Sequence, residues 1–172
     1  MKYVNKRKII KATKLMLEAL QEDLDRPGLK ETPLRVAKAW KEMMSGYAID
    51  NSEILAKTFD DITHENSTIN MVDIPIYSFC EHHLLPFFGT AEITYTPKKG
   101  GKIVGLSKLN RLVQNVSRKL QTQERITFEI ANAIKTHLEA ESVTVILKCR
   151  HMCIEMRGVS HQNSLTITKE TL

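Results

Sequence analysis

The chain has 172 residues, of which 42% are hydrophobic and 6% aromatic, and its formal net charge is +5. This length is enough for one compact domain with a good core and does not require two. No stretch approaches the ~18 to 20 apolar residues of a membrane span, and charged residues interrupt the apolar positions of residues 1–20. We therefore expect neither a membrane protein nor an export signal.

The charge is unevenly distributed, since residues 1–41 and 73–172 are basic and residues 42–72 are acidic. A basic surface could attract nucleic acid or a compact polyanion such as a nucleoside triphosphate. The chain has no arginine-rich run and few aromatic residues for base stacking, so we expect no nucleic-acid partner. Three cysteines do not make a disulfide framework, which favours a reducing compartment and predicts a cytoplasmic protein.

Two helices are predicted near the N-terminus. Apolar residues recur at helical spacing from Ile9 to Leu24, where a turn follows, and Thr32-Pro33 begins a second apolar stripe that ends before Gly46. Residues 1–47 are therefore interpreted as a helical region. The acidic, weakly periodic residues 48–67 are interpreted as a connecting loop.

Residues 68–172 have the pattern of the main domain. Strand and helix patterns predict, in order, strands at 69–77 and 89–96, helices at 107–120 and 123–138, and strands at 143–147, continuing through 151–156, and at 164–168. This order predicts an α+β fold in which two helices pack on one face of an antiparallel four-stranded sheet, preceded by the N-terminal helices. The other face of the sheet needs cover, which favours assembly with further subunits.

Five side chains that can bind metal lie in two clusters, Cys80-Glu81-His82-His83 and His151-Met152-Cys153. Thiolate and neutral imidazole are ligands that Zn²⁺ prefers, and the Cys-x-x-His spacing lets a turn direct both side chains at one ion. Any one of these residues alone would be an ordinary buried thiol or surface imidazole, but their clustering favours zinc. Cys80, His83 and Cys153 give three donors, one fewer than a closed structural site needs, and leave two histidines as candidate acid and base.

Four motifs in the same order resemble the GTP cyclohydrolase I family. They are the segments Ser78–Leu84, Gly105–Arg111, Gln121–Arg125, and His151–Cys153 with Arg157–Val159, and the segment Glu31–Lys38 resembles an early helix of the family. The resemblance runs from about residue 28 to residue 168.

The resemblance implies a tunnelling fold for residues 68–172 and a homodecamer with active sites at subunit interfaces. It implies hydrolytic opening of the GTP imidazole ring by a zinc-activated water, with release of formate and formation of 7,8-dihydroneopterin triphosphate. One Zn²⁺ per subunit would be bound by Cys80, His83 and Cys153. His82 and His151 would transfer protons, and Gln123 and Glu124 match residues close to the guanine, with Gln123 counted as catalytic. The residues that would bind the triphosphate are Ser107, Lys108, Arg111, Arg157 and, from a neighbouring subunit, Arg35 and Lys38.

Cys149-Arg150 and Thr122 depart from the pattern of the family. Cys149 is interpreted as a buried strand cysteine, and a regular strand through Cys153 would place Cys149, His151 and Cys153 on one face with Arg150 pointing away. Two other functions stay open: a related thiol enzyme that uses Cys80 as nucleophile towards a deazapurine nitrile, and a non-catalytic zinc module closed by a fourth protein ligand. The sequence does not identify a regulatory partner.

Overall fold

The structure is a computed structural model that describes residues 4–59 and 67–172. The chain divides into two compact units, Met1–Ala48 and Ile49–Leu172. Of the predicted connecting loop, residues 60–66 lie outside the described residues. No helix in the described parts of the chain is long and apolar enough to cross a membrane.

The first unit consists of two helices packed against each other, α1 (Lys6–Ala19) and α2 (Thr32–Met43), followed by a 3₁₀ turn at Ser45–Tyr47. The Asn5 side chain caps α1 by accepting a hydrogen bond from the backbone N–H of Lys8 at 3.1 Å. The predicted first helix continued to Leu24, but α1 ends at Ala19 because Gln21 takes a left-handed φ of 59°.

The second unit begins with regular structure where the sequence predicted a loop. Helix α3 (Asn51–Leu55) and strand β1 (Thr58–Phe59) lie within the segment 48–67, and β1 pairs antiparallel with β4 (Ile103–Val104). Asp50 caps α3 by accepting a hydrogen bond from the N–H of Ser52 at 2.8 Å. A five-residue helix is too short to show helical periodicity, so the prediction of a loop was wrong there.

The main sheet has five strands. They are β2 (Ile69–Cys80), β3 (Pro86–Thr96), β5 (Leu120–Gln121), β6 (Ser142–His151) and β7 (Thr166–Thr171), in the order β5-β2-β3-β6-β7. The predicted α+β class is confirmed, and β2, β3, β6 and β7 pair antiparallel, but the sheet has five strands rather than four because β5 adds to its edge parallel to β2. The last strand also begins two residues later than predicted.

Helices α4 (Leu106–Ser117) and α5 (Gln123–His137) cover one face of this sheet. Their apolar stripes, which include Leu109, Leu112, Val113, Val116, Ile126, Ile130 and Ile134, are buried against inward-facing strand residues. At the centre β3 and β6 approach closely, since a Cβ on Gly89 would lie 1.9 Å from the carbonyl oxygen of Lys148. The fully buried Cys149 is the cross-strand partner of Gly89.

The segment after His151 turns into a short helix, α6 (Met152–Glu155). The predicted continuation of the strand through 151–156 was therefore wrong, and the alternation that placed Cys153 on the face of Cys149 and His151 ends at His151. In a continued strand, Arg150 and Glu155 would be about 16 Å apart at ~3.3 Å per residue. In the folded chain they form an ion pair, which the turn into α6 makes possible.

Candidate active site

Cys80 is the last residue of β2. Side chains alternate along a strand, so Cys80 lies on the same helix-covered face as the buried Ile76 and Ser78. The chain then makes a tight turn into β3. The N–H of Leu84 donates to the carbonyl oxygen of Cys80, and the N–H of Cys80 donates to that of Leu85, both at 2.9 Å. Leu84 has a φ of 54°, a strained value for a residue other than glycine. These two backbone hydrogen bonds close the turn that carries His82 and His83.

The donor atoms of Cys80, His83 and Cys153 all lie within 4.8 Å of one another. Cys80 Sγ is 3.8 Å from His83 Nδ1, close to the separation of about 3.6 Å that tetrahedral zinc bonds of ~2.3 Å to sulfur and ~2.0 Å to nitrogen require. This is the only such group of three or more among the described residues. Two thiols and an imidazole at this spacing fit Zn²⁺.

Cys149 does not belong to this group. Its side chain is fully buried in the core, and burial raises the pKa of its thiol to about 12. Since the thiolate is the form that binds metal and reacts, Cys149 is an inert core residue, in line with its interpretation as a buried strand cysteine.

The short strand β5 brings the start of α5 to the turn between Cys80 and Leu85. The N–H of Glu81 donates to the carbonyl oxygen of Gln121 at 3.1 Å, and the Arg125 guanidinium donates to both carboxylate oxygens of Glu81 at 2.7 and 3.0 Å. Hydrogen bonding from Arg125 lowers the pKa of Glu81. Thr122 is the N-cap of α5, where its hydroxyl accepts from the N–H of Arg125 at 3.3 Å. The unusual residue at position 122 therefore has a local structural role.

Gln123 is almost completely buried, and its hydrogen bonds fix the proton position on His151. Three acceptors share the two hydrogens of its amide nitrogen: the carbonyl oxygens of Leu147 and Thr166 at 3.2 and 3.0 Å and the Thr168 hydroxyl at 3.1 Å. Its amide oxygen must then face His151 Nε2, 2.8 Å away. Because that oxygen only accepts, His151 carries a proton on Nε2 and keeps the lone pair on Nδ1 when neutral.

His151 is also fixed by an aromatic neighbour. Its ring stacks on Phe87 with centroids 4.7 Å apart and an angle of 8° between the planes. Burial lowers the pKa of His151, and the negative charge of Glu124 opposes this shift. The neutral imidazole is therefore favoured in the folded chain.

These groups line one pocket of about 230 Å³. Its lining includes Cys80, His82, Gln123, Glu124, His151 and Cys153. His82 is exposed, and its Nδ1 lies 3.6 Å from Cys80 Sγ, although it is not part of the three-donor group. The structure thus brings two of the three predicted ligands together with both predicted proton carriers and the start of α5.

The predicted triphosphate-binding residues lie outside this pocket. Ser107, Lys108 and Arg111 are on α4 and do not line it. Arg157 follows α6, is exposed, and has Nη1 3.3 Å from His83 Nε2. In the first unit, Arg35 is on α2, and its Nη2 lies 2.8 Å from Oε2 of Glu31, the residue before the helix. Lys38 is exposed on the same helix.

Comparison with known proteins decides the family. A family profile described as GTP cyclohydrolase I matches residues 9–172. The chain belongs to the GTP cyclohydrolase I family. The predicted family and enzyme class are therefore confirmed, and the activity of the chain is ring opening of GTP.

Three curated relatives named GTP cyclohydrolase 1 illustrate the similarity. The protein from Janthinobacterium sp. (strain Marseille) is 52% identical over 158 residues, which cover 91% of this chain and 78% of that protein. The proteins from Carboxydothermus hydrogenoformans and Clostridium perfringens are 48% and 46% identical over 165 residues, which cover 96% of this chain and 84% and 87% of those proteins. The apo crystal structure of the archaeosine synthase QueF-Like matches 63% of this chain and 95% of that chain, but its TM-score of 0.49 and 11% identity are too low to bear on fold or activity.

Several residues at the site of this GTP cyclohydrolase I family member escaped the sequence analysis. Phe87 and Thr168 give no local signal, because their partners His151 and Gln123 are far away along the chain. Glu81 and Arg125 lie inside the motifs that pointed to the family, but only the structure shows that they pair. Long-range side-chain pairs of this kind leave no periodic pattern in one sequence.

Proposed function

We propose that the chain opens the GTP imidazole ring by hydrolysis at a zinc site formed by Cys80, His83 and Cys153, releasing formate and giving 7,8-dihydroneopterin triphosphate. The observation that carries this proposal is the three-donor group at the pocket of His82, His151 and the start of α5. When bound, Zn²⁺ supplies a water that is activated near neutral pH. A set of three protein donors leaves a tetrahedral position for that water, as catalytic zinc sites do.

His151 is proposed as a proton acceptor at Nδ1. The hydrogen bond from Nε2 to the buried amide of Gln123 supports this role, because it fixes the tautomer and the ring plane. Gln123 then acts by positioning His151, since its own polar atoms are used within the fold. His82 is proposed as the second proton carrier, and its exposure at the pocket rim lets it exchange protons with solvent.

Glu124 is proposed to recognise the guanine. It lies in the first turn of α5 and lines the pocket. A carboxylate can accept hydrogen bonds from the ring N–H and the exocyclic amine of guanine together, a pair of donors that adenine lacks at these positions. This geometry supports selectivity for GTP over ATP.

The triphosphate is proposed to bind Ser107, Lys108, Arg111 and Arg157 together with Arg35 and Lys38 of a neighbouring subunit in a homodecamer. The pocket volume of about 230 Å³ supports this, because it lies below the ~300 to 1,000 Å³ of sites that enclose small ligands. Guanidinium and ammonium groups suit phosphate oxygens. Val72 and Tyr77 are exposed on β2, and burial of such apolar side chains favours assembly.

The test is incubation of metal-quantified protein with GTP while formate and the absorbance of the pterin are followed. We expect about one zinc per chain and one formate per GTP consumed, with ATP giving no formate. Protein stripped of metal by a chelator should lose activity and regain it with Zn²⁺. Full activity without metal would instead support the thiol mechanism at Cys80, and zinc-loaded protein that releases no formate would contradict the proposal.

A further inference from the structure

The ligand Cys153 lies on a segment that cannot be stable by itself. Helix α6 has four residues, and its end is closed by one backbone hydrogen bond from the N–H of Met156 to the carbonyl oxygen of Met152 at 3.1 Å. A single helical turn is unfavourable in isolation because ordering its backbone outweighs one hydrogen bond. Contacts from outside the turn must therefore hold Cys153 near Cys80 and His83.

The strongest contact of this kind joins the two ends of the turn. Arg150 precedes it on β6, and Glu155 is the last residue of α6. Arg150 Nε donates to Glu155 Oε1 at 2.8 Å and Arg150 Nη2 donates to Oε2 at 2.5 Å, a two-bond fork that fixes distance and orientation together. The Glu155 side chain is only 7% exposed, so water does little to stabilise its negative charge. The guanidinium of Arg150 compensates that charge instead.

Further contacts fix the two partners. The guanidinium carbon of Arg150 lies 5.8 Å from the centre of the Phe88 ring, on the strand position opposite Arg150. Hydrogen bonding from Arg150 lowers the pKa of Glu155, so the carboxylate stays charged beside the guanidinium. The ion pair therefore joins β6 to α6, and Arg150 also contacts Phe88 on β3.

We propose that the Arg150–Glu155 ion pair is a positioning device that holds α6 so that Cys153 completes the metal-binding group. The inference rests on the proposed zinc site, and it gives Arg150 a role for which the family resemblance offered no expectation. Neither residue belongs to the three-donor group or lines the pocket. The pair acts through Cys153, and its effect should appear in metal affinity before it appears in the binding of GTP.

The test compares Glu155→Gln, which keeps the shape but removes the charge, with the reversed pair Arg150→Glu/Glu155→Arg. The matched control is Glu129→Gln. Glu129 is on α5, and its Oε2 forms another partly buried ion pair with Lys119 Nζ at 3.1 Å, so this variant removes a comparable carboxylate. Zinc affinity is measured by competition with a chelator, and the visible absorption of Co²⁺-loaded protein reports the coordination geometry. Arg150→Lys is a second single variant, used if Glu155→Gln does not fold.

We expect Glu155→Gln to weaken zinc binding about 10-fold, within the ~10- to 100-fold typical of residues that orient a ligand. The Co²⁺ spectrum should change, kcat should recover at saturating zinc, and KM for GTP should stay unchanged. The reversed pair should restore part of the affinity, and Arg150→Lys should fall between wild type and Glu155→Gln. Glu129→Gln should leave zinc affinity and the Co²⁺ spectrum as in wild type.

The inference is overturned if Glu155→Gln leaves zinc affinity and the Co²⁺ spectrum at the wild-type level and changes only thermal stability, as Glu129→Gln does. If Glu155→Gln does not fold, the same result with Arg150→Lys overturns it. The pair would then be a structural contact only. Failure of the proposed function looks different, because wild-type protein itself would then bind no zinc or release no formate.

Discussion

The two segments that carry the proposed metal ligands are held in different ways. The turn from Cys80 to Leu85 is closed by two backbone hydrogen bonds between its ends, and a third joins the N–H of Glu81 to the carbonyl oxygen of Gln121. Helix α6, which carries Cys153, depends on the Arg150–Glu155 fork, and the neighbouring His151 depends on Gln123 and Phe87. One half of the proposed site is thus held mainly by backbone hydrogen bonds, and the other half mainly by side chains that are separated in sequence.

The difference has a consequence for tolerance to substitution. A turn closed by backbone contacts accepts side-chain changes that leave its φ and ψ values accessible. A segment positioned by buried polar side chains loses its geometry when one partner is removed, because the remaining partner is left unsatisfied. Substitutions of equal size should therefore have unequal effects on the two halves.

The largest effect is expected from Cys153→Ser. A hydroxyl is a far poorer zinc ligand than a thiolate, so zinc affinity should fall by more than ~100-fold, beyond the range of changes in orienting residues. Zinc content after gel filtration and formate release from GTP measure the loss. A variant that kept both zinc and turnover would remove Cys153 from the ligand set.

Gln123→Met should have the next largest effect. The change keeps the volume but leaves the carbonyl oxygens of Leu147 and Thr166 and the Nε2–H of His151 without their partner. We expect the free energy of unfolding to fall by about 1–3 kcal/mol and kcat to fall by about 100-fold, the lower end of general acid–base contributions. Urea denaturation and steady-state kinetics check the two effects separately, and a loss confined to stability would show that the tautomer of His151 does not matter.

Cys149→Ala is expected to act on stability alone. The thiol is fully buried with a pKa raised to about 12, so it is neither a ligand nor a nucleophile at neutral pH. Removal of one buried atom should lower the free energy of unfolding by about 1 kcal/mol, while zinc content stays as in wild type. A loss of zinc would place Cys149 in the metal group after all.

The smallest effect is expected from Leu84→Gly in the turn. Glycine relieves the strain of the φ of 54°, but it also increases the freedom of the unfolded chain. The two terms oppose each other, so the change in unfolding free energy should stay within about 1 kcal/mol, with unchanged zinc affinity. A loss of zinc affinity comparable with that of Glu155→Gln would break the contrast between the two halves.

The same contrast explains what could be predicted from the sequence. The amphipathic stripes predicted α4 and α5 to within three residues at each end, and the Cys-x-x-His spacing predicted that Cys80 and His83 lie together on one turn. The predicted strand through 151–156 failed because the chain turns into α6 after His151, and no periodic pattern reports a four-residue helix or the ion pair across it.

The short strand β5 escaped prediction for a related reason. Two residues are too few for an alternating pattern, yet β5 places Gln121 beside Glu81 and so brings α5 to the turn. The role of Gln123 was assigned near the guanine from the family motif, while its contact with His151 depends on pairing across the fold. Long-range contacts of this kind require the structure.

The most direct test of the account is the X-ray absorption spectrum of the zinc-loaded protein at the zinc K edge, in the absence of GTP. Three protein donors at a catalytic site predict two sulfur ligands at about 2.3 Å, one imidazole nitrogen at about 2.0–2.1 Å and one further light atom from water. A coordination sphere filled by four protein ligands, such as a second imidazole in place of water, would contradict the central claim that the site keeps a position open for hydrolysis.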